Sequence, residues 1–91
     1  MIHYILIMIG FSSPLFSQTD IKEDIISSDF YYRLGRKYSS NGNHKKAIES
    51  FKKSIEISPD NADAHRDLAT VYKYQGNYTK SIELFKKSIS L

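Results

Sequence analysis

No cysteine occurs in the chain. Its absence excludes disulfide staples, a thiolate metal site, a cysteine nucleophile and a lipid-modified cysteine anchor. A glycine-rich phosphate loop and a nucleophile-elbow motif are missing too. No apolar run reaches the roughly 20 residues that a membrane-spanning helix needs. The one candidate, Ile2 to Phe11, is well short of that. Charge of one sign is also scarce: the net charge is +3, with acidic and basic residues mixed along the chain. A nucleic-acid binder would show a concentrated basic patch instead. At 91 residues there is room for one small domain. A domain of that size buries only about 60% of its unfolded surface, so its core is marginal.

The N-terminal segment differs from everything after it. Ile2 to Phe11 is almost wholly apolar, Pro14 interrupts it, and Leu15-Phe16-Ser17 ends on a small residue before the polar Gln18-Thr19-Asp20. Residues 1–17 therefore read as a secretory signal cut after Ser17, although His3 stands where Lys or Arg is usual. The expected location is secreted or periplasmic, with membrane attachment only if the segment stays uncleaved. Residues 18–27 are polar with Ile21 and Ile25 at helical spacing, so they are a linker or an early start to the first helix.

What the chain does have is a copy of itself. Displaced by 34 residues, Leu34 falls on Leu68, Tyr38 on Tyr72, Gly42 on Gly76, and Phe51-Lys52-Lys53-Ser54-Ile55 on Phe85-Lys86-Lys87-Ser88-Ile89. Each copy reads as two helices joined by a short turn. Phe30, Tyr31, Leu34 and Tyr38 recur at three and four residues, forming an apolar stripe whose helix Ser27 or Ser28 can cap. Asn41-Gly42-Asn43 ends it, since Gly42 accepts a left-handed conformation and Asn43 can cap the next helix.

That second helix is expected over 44–57, with Ala47, Ile48, Phe51, Ser54 and Ile55 inward and a Glu49–Lys53 surface pair. Pro59 ends it, and Asp60 or Asn61 caps a third helix carrying Ala64, Leu68, Ala69 and Tyr72. A fourth carries Ile82, Phe85, Ser88 and Ile89. Connections this short make consecutive helices antiparallel neighbours, and no strand is expected. Gly35 and Ala69 are small where a large side chain would hold paired helices apart.

Together these residues resemble the tetratricopeptide repeat, whose pattern is an aromatic, Leu-Gly, Tyr, Ala, an aromatic, a small residue and Pro. The first unit, 28–61, supplies Tyr31, Leu34-Gly35, Tyr38, Ala47, Phe51, Ser54 and Pro59. The second, 62–91 and truncated, supplies His65, Leu68-Ala69, Tyr72, Ser81, Phe85 and Ser88. His65 departs from the aromatic, and the chain stops before a second proline. The resemblance implies an all-α fold: antiparallel helix pairs stacked as a right-handed α-solenoid.

It also implies a concave groove, lined by the first helix of each pair, that holds a peptide or protein without chemistry. On the helical phase the groove side chains are Asp29, Tyr32, Arg36 and Ser39, then Asp63, Arg66, Thr70 and Lys73. Arg66 and Lys73 are expected to meet acidic groups of a ligand. The spaced lysines and asparagines by which some family members grip a C-terminal carboxylate are absent.

Rival chemistries fit poorly. Asp60, Asp63 and Asp67 lack the alternating donors and glycine of a calcium loop. His44 and His65 have no ligand partner at helical spacing. The lysine pairs at 45–46, 52–53 and 86–87 are interleaved with Glu49, Glu56 and Glu83, as on a solvated helix surface. No enzyme activity, cofactor, metal or nucleic-acid partner is expected. Stacked repeats need about three units and a polar terminal helix. The uncapped last helix therefore points to a longer repeat protein or to self-association. Two functions follow: an exported interaction scaffold, or the N-terminal sensor part of a larger membrane-tethered signalling protein.

Overall fold

The computed structural model describes residues 27–91, so the signal segment and almost all of the linker lie outside the described residues. Four helices follow one another: α1 includes residues 27–40, α2 is His44–Ile57, α3 is Ala62–Tyr74 and α4 is Tyr78–Ser90. Among the described residues there is no strand. α3 packs on α2 before it and on α4 after it, so the described residues form an all-α stack of consecutive helices.

Local chemistry sets the helix ends. Gly42 and Gly76 take φ of 77° and 83°, the left-handed region that a side chain disfavours. At both turns the same pair of bonds closes the helix: the Asn43 and Asn77 amides donate to Tyr38 and Tyr72 carbonyls at 2.9 Å. Each asparagine then opens the next helix. Asn43 accepts from the Lys46 amide at 3.3 Å and Asn77 from the Lys80 amide at 3.4 Å. Asn61 does the same for α3, accepting from Ala64 at 3.1 Å, so Asn61 and not Asp60 is the cap.

Other local expectations are corrected. Neither Ser27 nor Ser28 stands outside α1 as a cap, because residue 27 is already helical. Ser28 is buried instead, and its hydroxyl donates to the Ser54 carbonyl at 3.2 Å while the Ser54 hydroxyl donates to the Ser28 carbonyl at 2.9 Å. Lys53 reaches Glu56 at 3.9 Å and not Glu49. Phe30 leaves the apolar stripe and is 57% exposed, edge-on to Tyr31.

Ala47, Phe51, Leu68, Val71 and Tyr72 form the core. Phe51 is its centre, pressed against α1 so closely that a Cβ on Gly35 would lie 2.7 Å from the ring. The glycine is what lets α1 and α2 meet there. His65 takes the aromatic slot by burying its ring and bonding Nε2 to the Pro59 carbonyl at 2.9 Å. Its buried Nδ1 has no protein partner.

Candidate groove site

The first helices of the two units, α1 and α3, enclose a concavity of about 360 Å³. Six of the eight residues expected to form a partner-binding groove line it: Tyr32, Arg36 and Ser39 from α1, and Asp63, Arg66 and Thr70 from α3. Asp29 and Lys73 do not; Lys73 is exposed in the last turn of α3. Ser40, Phe51 and Asp67 join the lining. Asp67 lies one turn beyond Asp63, so helical phase alone would have included it.

The floor of the concavity is apolar and its rim is polar. Phe51 rises from α2 to meet the Tyr32 ring at 5.9 Å between centroids. The Tyr32 hydroxyl crosses from α1 to α3 and donates to Asp67 Oδ2 at 2.7 Å. Partial burial, then the adjacent Asp67 carboxylate, push the Tyr32 pKa from 10.0 up to about 12. Arg36 sits over the same ring, 5.9 Å from its centroid.

Arg66 is not a free cation waiting for an acidic ligand. Its guanidinium meets Asp63 at 3.1 Å and Asp67 at 3.4 Å, both on its own helix. The Asp67 charge foremost pushes its pKa further up, so it stays charged. Thr70 donates its hydroxyl to the Arg66 carbonyl at 3.1 Å, one turn back. Asp63 and Asp67, raised above as possible metal ligands, are thus occupied by Arg66 and Tyr32. Asp29 is occupied as well, by Arg33 at 3.0 Å. No described helix is long and apolar enough to cross a membrane.

Two family models account for this architecture. One described as TPR repeat matches residues 35–76, and one described as Tetratricopeptide repeat matches residues 62–91. The chain belongs to the tetratricopeptide repeat family. Solved structures agree: a crystal structure of MamA is 34% identical with a TM-score of 0.70, over 80% of this chain and 43% of that one. A second MamA crystal structure is 34% identical with a TM-score of 0.68, over 80% and 40%. MamA of AMB-1 is 28% identical with a TM-score of 0.70, over 77% and 41%. The chain thus spans about two fifths of the length of these structures. No curated protein is significantly similar to it in sequence. As a tetratricopeptide repeat protein, the chain falls among protein–protein interaction scaffolds.

Proposed function

We propose that this repeat pair is an exported scaffold that holds an extended peptide or protein segment in the groove between α1 and α3. The observation behind this reading is the convergence of six phase-selected side chains on one concavity with an apolar floor and a polar rim. Tyr32, backed by the buried Phe51, offers a ligand apolar contact, while Arg36, Ser39 and Ser40 offer donors. The groove carries out no chemistry; its work is binding. Export rests on residues 1–17 of the sequence alone.

The groove is tested by capturing binding partners on the immobilised protein and repeating the capture with the Arg36→Ala/Arg66→Ala double variant. Both arginines are exposed, so the variant keeps its helical circular dichroism while binding falls at least tenfold. Unchanged capture would remove the groove as the site. Export is tested by N-terminal sequencing of protein recovered outside the cytoplasm. Gln18 as the first residue supports it, and an intact Met1 counts against cleavage.

A further inference from the structure

The groove is not evenly charged along its length. One end holds Asp63 and Asp67, already occupied by Arg66 and the Tyr32 hydroxyl. Past Tyr32 on α1 and past Asp67 on α3, neither helix carries another acidic residue. The cations Arg36, Lys37 and Lys73 lie in that stretch. Arg33, Arg66 and Arg36 thus divide into two that are paired and one that is not. Among the described residues, Arg36 forms no ion pair.

Arg36 also stands at a junction. It lines both the main groove and a smaller concavity of about 220 Å³ that it shares with Arg33, Lys37 and Ser40. Its guanidinium is steadied from below, because the Tyr32 ring beneath it is itself held by the 2.7 Å bond to Asp67. A planar guanidinium restrained over an aromatic face, with its forked donors unused among the described residues, is arranged for a bidentate carboxylate. The partial negative charge of the α1 C-terminus opposes an anion there. At this turn, however, the Tyr38 and Ser39 carbonyls already accept from Asn43 and Gly42, which softens that opposition.

We infer that the groove selects a peptide segment bearing an acidic side chain, whose carboxylate Arg36 takes at the end of the groove beyond Tyr32. This rests on the groove-binding reading above and names the ligand that reading leaves open. Ser39 and Ser40 supply further donors beside Arg36. Recognition is of an internal side chain, so a free C-terminus is not required.

The test uses the full chain and three arrays of fluorescein-labelled decapeptides in a Ser–Leu background. Glu, Gln or Lys is moved through the positions, and every peptide is amidated at its C-terminus. At least one Glu register is expected to bind at least tenfold tighter than its Gln counterpart. Arg36→Ala should bring it down to the Gln level, and Arg36→Glu should transfer the preference to Lys, with helical circular dichroism retained. Thr70→Trp, which fills the groove, should abolish binding of all peptides.

Equal binding of Glu and Gln peptides, or a Glu preference that survives Arg36→Ala, would overturn the inference while leaving groove binding in place. Binding that appears only when the amide is replaced by a free C-terminal carboxylate would overturn it too. Peptide binding that survives Thr70→Trp, or no binding by any array, would bring down the groove reading itself.

Discussion

The two repeats share a sequence pattern but not an environment. At equivalent positions, Phe30 and Lys37 are exposed where Ala64 and Val71 are fully buried. The second helices show the reverse: Phe51 is buried and Ile48 and Ile55 are half-buried, whereas Ile82 and Ile89 are 54% and 84% exposed. Each repeat covers one face of the other, so the same slot is core in one copy and surface in the next. The side chains follow that asymmetry on α1 and α3, where the uncovered slots hold Phe and Lys and the covered ones Ala and Val.

The asymmetry also bears on how two copies could meet. End-to-end stacking that reused the inner interface would force Phe30 into a space shaped for Ala64 and bury the Lys37 ammonium where Val71 sits. The internal packing is therefore no template for self-association through α4. A second local difference points the same way. Ser28 and Ser54 bond across the helices of the first repeat; in the second, Ala62 offers no hydroxyl, and Ser88 turns back to the Phe85 carbonyl at 2.8 Å.

Exchanging the residues of the uncovered and covered slots breaks the comparison most severely. Val71→Lys buries an unpaired charge and should cost several kcal/mol, a large part of the roughly 5–15 kcal/mol that holds a domain together. The converse Lys37→Val should move stability by no more than about 0.5 kcal/mol. Urea unfolding followed by circular dichroism measures both, and equal losses would mean that the two slots are not differently covered.

Phenylalanine truncation sharpens the contrast at one step lower. Phe51→Ala should cost about 3–5 kcal/mol, and Phe85→Ala, half-buried, less than about half of that. Similar values would show that α4 is better covered than its exposure indicates.

A smaller loss than for either phenylalanine is expected at the bond between repeats. Tyr32→Phe removes the hydroxyl that donates to Asp67 and should cost about 1 kcal/mol near neutral pH. Because the folded pKa of about 12 lies above the ordinary 10.0, the unfolded chain loses this proton first as pH rises. The stabilisation is therefore complete below pH 10 and is lost as pH rises through about 12. Unfolding profiles of the parent and Tyr32→Phe should converge across that window. Parallel profiles would detach the hydroxyl from the repeat–repeat contact.

Much of the fold was legible beforehand because its signals are local. Gly42, Gly76, Asn43, Asn61 and Asn77 act on their own turn, so their effect on the backbone does not depend on what lies across the molecule. The groove was legible to the extent that helical phase decides which side a residue faces; hence Tyr32, Arg36 and Thr70 were placed and Lys73, in the last turn of α3, was not. The cross-helix bonds were hidden. Tyr32 and Asp67, or Ser28 and Ser54, are far apart in sequence and meet only because of where neighbouring helices settle.

The sequence by itself determined the period, the helix ends, the family and the phase of the groove, since backbone preference and side-chain spacing act within a few residues. Only the tertiary structure decided which copy of each slot is covered and which side chains bond across helices. Arg66 and Arg36 read alike as groove arginines. Two carboxylates at 3.1 and 3.4 Å neutralise the first, while among the described residues none pairs with the second. Those partners lie within three residues of Arg66 on its own helix, so that pairing is local. The Tyr32–Asp67 bond instead joins residues 35 apart and exists only because α1 and α3 settle side by side.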